Sequence, residues 1–303
     1  MLTYKPKNTV IHRLNPLCKI VWVGSLTILS IIFENPIYLL MFFIFTLSFI
    51  VLAKIGKEWL KFMKFVGLLC LTVILLNMIF SNEGTHVIFQ VPFLNHQKIT
   101  LESFIFGVGM ALRLVVIFSA FTILTFIVHP DDFMLVMLKL KFPFHSVFAA
   151  SLSTRFIPTL LEDAKTVMDV CRARGLELNQ KSFLGKIKSR IPFLTILLSN
   201  SLDRAVQIAE AMESRAFGLR KRTFYKELKI SWFDGLTLIL TLSLLIFGCL
   251  LRVHGYGSFQ CYPFIQHPIL TSSDYLALLI FVFIAFLTAL TVLVGGKISH
   301  DQI

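Results

Sequence analysis

Six apolar runs dominate this chain, at about positions 20 to 33, 37 to 53, 65 to 80, 104 to 127, 231 to 251 and 275 to 295. A hydrocarbon layer roughly 30 Å thick is crossed by a helix of about 20 apolar residues, and in lipid each backbone polar group must be satisfied inside the protein. The runs therefore predict an all-α, polytopic membrane protein with about six transmembrane helices, the first three of them short. Composition agrees. With 56% hydrophobic residues, 31 Phe and a mean hydropathy of +0.79, the chain has more apolar surface than one soluble core of 303 residues would bury. The fourth and fifth runs are separated by a basic, amphipathic stretch. The expected organisation is membrane helices over 1–127, a cytosolic helical region over 128–230 and membrane helices over 231–303.

Charge supplies the orientation, because Lys and Arg are retained on the cytoplasmic side of short loops. With the N-terminus inside, 26 of the 29 basic residues fall in the cytosol, 17 of them between residues 128 and 230. Only Lys98 and Arg252 lie outside, and Arg113 sits within a span. A multi-pass protein of the plasma membrane with both termini cytoplasmic is expected. The net charge of +12 is then that of a basic inner face beside anionic lipid, with no nucleic acid required. The five cysteines, Cys18, Cys70, Cys171, Cys249 and Cys261, have neither disulfide-framework nor zinc-site spacing. The first apolar run follows a polar lead and lacks a small-residue cleavage site, so it is read as a retained span.

Local signals subdivide the chain. Asn35-Pro36 breaks the first apolar block into a helical hairpin, and residues 81 to 103 read as a polar outer loop. Gly107 and Ala111 form a small-xxx-small pair that would admit another helix closely. His129-Pro130-Asp131-Asp132 has the pattern of a helix start, with proline in the first turn and acids at the positive end of the dipole. The short helix that follows is expected to end before Pro143.

Two longer arms come next. In the first, Ile157, Leu160, Leu161, Ala164, Met168 and Cys171 recur at helical spacing, while Arg155, Glu162, Asp163, Lys165 and Asp169 lie largely on other faces. It ends at Ala173-Arg174-Gly175, with Gly175 expected in the left-handed conformation. The second carries Leu194, Leu198, Leu202, Ala205, Ala209 and Met212, and ends at Ser214-Arg215-Ala216. An arginine at a helix tip among small residues can enter a groove on another protein and contact carboxylates or backbone carbonyls. It can also merely complement the negative helix end. Two such tips, one on each arm, favour docking.

These segments together resemble the T component, the transmembrane scaffold, of energy-coupling-factor (ECF) transporters, a family that includes cobalt and nickel permease subunits. The resemblance runs through His12-Arg13-Leu14-Asn15-Pro16-Leu17-Cys18-Lys19, Ala111-Leu112-Arg113-Leu114, Arg155-Phe156-Ile157-Pro158, Arg172-Ala173-Arg174-Gly175 and Ala211-Met212-Glu213-Ser214-Arg215. It covers roughly residues 10 to 225. It implies partnership with two cytosolic ABC-type ATPase subunits and a membrane-embedded, substrate-binding S component, for uptake of a vitamin or a cobalt or nickel ion. Carried over, Ala173, Arg174, Gly175, Ser214, Arg215 and Ala216 become the ATPase-coupling residues. Ala216 departs from the family's glycine, and its methyl group disfavours close backbone approach or a positive φ.

Arg113, costly within a span unless paired or hydrated, is expected at the interface with the substrate-binding subunit, inside the bundle, or snorkelling along its helix. With Gly107 and Ala111 it forms the intramembrane candidate group. No catalytic, metal or cofactor site is expected. Gly295-Gly296-Lys297-Ile298 lacks the first glycine and the hydroxyl of a phosphate-binding loop, so ATP hydrolysis is assigned to partners. His254, Cys261 and His267 share one loop at irregular spacing and read as ordinary loop residues. A stand-alone channel or secondary carrier would need polar groups along a membrane path, and an intramembrane enzyme a catalytic cluster. The spans hold almost no ionisable residue besides Arg113.

Overall fold

The computed structural model describes residues 9–80, 86–91, 97–175, 183–218, 231–259 and 272–298. Among them run helices α1 (Val10–Arg13), α2 (Pro16–Ile32), α3 (Pro36–Leu52) and α4 (Gly56–Phe80), then strands β1 (Val87–Val91) and β2 (Gln97–Thr100). Next come α5 (Leu101–Ile127), α6 (Pro130–Lys139), α7 (Phe144–Ala173), α8 (Phe183–Ser214), α9 (Trp232–Val253) and α10 (Ser272–Ile298). Among the described residues, the chain is all-α apart from one small hairpin. It divides into two units, one of Met1–Phe133 with Lys229–Ile303 and one of Met134–Leu228.

In the first unit, Asn-Pro pairs start both α2 and α3. The side chains of Asn15 and Asn35 accept hydrogen bonds from the backbone of Leu17 and Ile37, and each proline occupies the first helical position, where its missing N–H is no loss. Two helices of 17 residues result, short for a span, while α4, α5, α9 and α10 are long and apolar enough to cross a membrane. α4 begins at Gly56, ahead of the apolar run at 65, because Lys57, Lys61 and Lys64 are good helix formers whose exposed side chains leave the helix intact. Residues 81 to 103, expected as a loop, contain instead the antiparallel hairpin, with Val87 opposite Thr100 and Val91 opposite Gln97. Its β-branched residues suit extended backbone. Thr100 then caps α5 by accepting from the Ser103 N–H at 3.3 Å.

The core of this unit lies where α2, α3, α5, α9 and α10 meet. Leu26, Leu29, Phe33, Tyr38, Leu39 and Phe42 are fully buried among Val116 and Ala120 of α5, Leu244 of α9 and Phe281 of α10. Phe33 stacks on Tyr38 at 4.8 Å, and Phe42 meets Phe281 edge-on at 5.4 Å. Lipid tails are as apolar as these side chains, so close packing rather than expulsion from water holds the helices together. α4 presents Phe65, Leu68, Leu71, Leu75 and Phe80 outward, a surface fit for lipid.

α4 packs on α5 through small residues. A Cβ added at Gly107 would stand 3.2 Å from the Ile74 Cα, and buried Ala111 lies in a cluster with Val66 and Cys70. The Cys70 thiol donates to the Ala111 carbonyl at 3.5 Å, and the Trp59 indole N–H to the Ser119 hydroxyl at 3.1 Å. Overpacking such a seam costs about 1–3 kcal/mol. Gly107→Leu should accordingly lower the thermal unfolding midpoint of the detergent-solubilised chain, and Gly107→Ala should lower it less.

Candidate functional site

The second unit is built from most of α6 and the two arms. α6 starts at Pro130, with Asp131 and Asp132 in its first turn and Lys139 in its last, so both ends complement the dipole. The arms α7 and α8 have 30 and 32 residues, about 45 to 48 Å each at 1.5 Å per residue. They touch at two described places. Arg204 of α8 pairs with Asp163 of α7 at 2.8 Å. Phe217, just past α8, packs its ring 5.1 Å from Phe148 and 6.4 Å from Phe144 at the start of α7. As α7 proceeds from Phe148 to Asp163, its contacts on the second arm fall from Phe217 to Arg204, so the arms run antiparallel. Arg174 and Arg215 consequently lie toward opposite ends of the pair.

Each tip is made by a helix stop. α7 ends with Arg174 donating its N–H to Val170 at 3.0 Å and Gly175 donating to Arg172 at 3.0 Å, with φ +75 at Gly175. α8 ends with Ala216 donating to Glu213 at 2.9 Å and Phe217 to Met212 at 3.1 Å, the paired bonds of a Schellman stop. The residue this motif places in the left-handed region is Ala216, at φ +56. Its methyl group therefore does not prevent the positive φ; the backbone adopts it under strain. All six tip residues, Ala173, Arg174, Gly175, Ser214, Arg215 and Ala216, are exposed. Along the arms Ile157, Leu160, Leu161, Leu194, Leu198 and Leu202 are exposed as well.

A left-handed L-residue costs about 1–2 kcal/mol, part of which a glycine gives back through its freer unfolded chain. Ala216→Gly should slow hydrogen exchange at the end of α8, and Gly175→Ala should speed it at the end of α7, each by severalfold.

Arg113 belongs to the first unit. Its Nε donates to the Ser30 carbonyl at 3.0 Å, Nη2 to the Phe33 carbonyl at 3.1 Å, and Nη1 to the Met110 sulfur at 3.2 Å. The guanidinium closes the carboxyl end of α2. It also lines a cavity of about 640 Å³ with Glu34, Ile105, Phe106, Met110 and Arg252, where Arg252 pairs with Glu34 at 3.1 Å. Each buried carbonyl left unpaired costs about 1–3 kcal/mol. Arg113→Leu should lower the unfolding midpoint clearly, and Arg113→Lys, a donor without the planar fork, should recover part of the loss.

At the other end of α2, Asp234 joins α2 to α9. Its carboxylate accepts from the backbone of Asn15 at 3.3 Å and of Ser231 at 3.1 Å, and its carbonyl accepts from the Cys18 thiol at 3.3 Å. Buried Lys19 donates to the His12 carbonyl at 2.9 Å. Thus the segment from His12 to Lys19 seats the first long helix. Among the described residues no three His, Cys, Asp or Glu side chains gather as metal ligands would. His254 is exposed, and Cys261 and His267 lie outside the described residues.

Residues 7–225 match the family model described as CbiQ, cobalt transport protein. The chain belongs to that family. It is 35% identical over 247 residues to the energy-coupling factor transporter transmembrane protein EcfT of Lactococcus lactis subsp. cremoris, covering 78% of this chain and 91% of the relative. EcfT of Streptococcus equi subsp. equi is 31% identical over 257 residues, 80% of this chain and 93% of that one. EcfT of Bacillus subtilis is 28% identical over 258 residues, 82% and 95% of the two chains. The chain is a T component of an ECF-type transporter and a membrane protein. Neither Arg204 nor Phe217 was singled out in the sequence, and Asp163 read only as part of a polar face. The signal available was their place three turns before, or two residues after, a tip arginine.

Proposed function

We propose that this T component transmits the movement of two cytosolic ABC-type ATPase subunits to a membrane-embedded S component, driving uptake of a vitamin or of a cobalt or nickel ion. The observation that carries the reading is the pair of antiparallel arms with exposed Arg174 and Arg215 toward opposite ends. Two separated cations of this kind suit one ATPase each. An arginine fork in a groove of carboxylates or carbonyls gives a contact with fixed direction as well as charge. Hydrolysis belongs to the ATPases, because the chain carries no phosphate-cradling loop motif. The excess of basic residues over 128–230 supports a cytoplasmic location for the arms and both termini, at the plasma membrane.

A stand-alone carrier is the weaker reading. Many hydroxyls along the membrane helices bond to their own backbones, as Thr27 does to Val23, Thr46 to Phe43, Thr122 to Phe118 and Thr241 to Leu238. Such groups do not form a continuous polar path.

Charge reversal tests the docking. Arg174→Glu and Arg215→Glu should each weaken ATPase binding, since losing a desolvated charged partner costs about 2–5 kcal/mol. The double variant should insert into the membrane yet lose coupled uptake. Pull-down of the ATPases together with uptake in cells decides the matter: normal docking and transport in the double variant would reduce both arginines to helix-end charges.

A further inference from the structure

The ion pair between the arms stands at matching positions in both. Asp163 precedes Arg174 by eleven residues, and Arg204 precedes Arg215 by the same number. Eleven residues are close to three turns, so in each arm the pairing residue and the tip arginine share one helix face, about 16 Å apart along the axis. The arms run antiparallel, so the 2.8 Å contact lies midway between the two tips. Side-chain exposures of 32% for Arg204 and 27% for Asp163 mark a partly desolvated pair, in which attraction is stronger than on an open surface.

We propose that Asp163 and Arg204 are positioning residues that fix the separation and the rotational phase of the Arg174 and Arg215 tips. A helix is stiff over three turns, so holding one residue on a face sets the direction of another on the same face. One contact at the midpoint sets both tips together. Phe217 on Phe148 and Phe144 braces the Arg215 end, and along α7 the ion pair stands closer to Arg174 than that contact does. The consequence for transport rests on the docking reading above, whereas the consequence for tip geometry does not.

Two measurements separate these consequences. Spin labels on cysteines introduced at the exposed, equivalent positions Asp169 and Glu210, in a chain with its own five cysteines replaced by alanine, report the distance between the arms. The unsubstituted pair should give one narrow distribution; Asp163→Asn, Asp163→Arg and Arg204→Asp should each broaden it; the swap Asp163→Arg with Arg204→Asp should narrow it again. In the assembled transporter each single charge reversal should leave ATPase binding within about twofold and lower uptake per ATP hydrolysed about tenfold, roughly 1.4 kcal/mol of coupling. The swap should restore uptake to within about threefold and also serves as the control for folding. A narrow distribution in the single variants, or a swap no better than either of them, overturns the proposal. If the distances behave as stated while Arg174→Glu with Arg215→Glu still binds ATPases normally, the ion pair stands and the docking reading falls.

Discussion

The carboxyl end of α2 meets α5 beside the cavity lined by Arg113, Glu34 and Arg252. Phe33 is fully buried there, and the N–H groups of Glu34 and Asn35 bond away to Gly257 instead of continuing the helix. The Ser30 and Phe33 carbonyls, like the last acceptors of any helix, need donors from outside it. Arg113 supplies both bonds from the middle of α5, and its charge sits against the negative end of the α2 dipole. This one cation ties the turn at Asn35-Pro36 to α5. The buried aromatic cluster of Phe33, Tyr38, Phe42 and Phe281 is assembled around that turn.

Asp234 performs the complementary task at the beginning of α2. Free N–H groups at a helix start attract an anion, and here a carboxylate from the start of α9 serves both helix starts. α2 is thereby held at one end by α9 and at the other by α5. A helix of only 17 residues has few turns with which to fix its own position, so these polar joints define its depth in the bundle.

How much of this was legible follows from the range of each interaction. Asn35-Pro36 and the Pro130 start are local, and their helices could be placed from neighbouring residues alone. So could Gly175, since a left-handed residue after a helix is a property of four or five successive positions. Ala216 shows the limit of that logic: the hydrogen bonds from Ala216 and Phe217 back into α8 hold a conformation that the residue type alone argues against. Arg113 was recognisable as anomalous in an apolar run, but its acceptors lie 80 and 83 residues away in sequence. The ion pair of Asp163 with Arg204 was hidden for another reason. Each looks like any charge on an amphipathic helix, and only the antiparallel placement of the arms brings them together. The strands at 87–91 and 97–100 were obscured by the polar residues around them.

The two units use opposite strategies of cohesion. In the membrane unit, aromatic rings and small residues interlock over the lengths of five helices, so a shift of one helix disturbs many neighbours and the arrangement resists gradual deformation. Among the described contacts, the arms meet through the Asp163–Arg204 ion pair and the packing of Phe217 on Phe148 and Phe144, and they leave Leu194, Leu198, Leu202, Ile157 and Leu161 exposed. Backbone hydrogen bonds within each arm keep it helical without help from the other. With few contacts between the arms, the ion pair carries the more weight in holding their mutual angle, while each arm stays rigid along three turns to its arginine. Stiffness within each arm and a polar joint between the arms suit the coupling role proposed above.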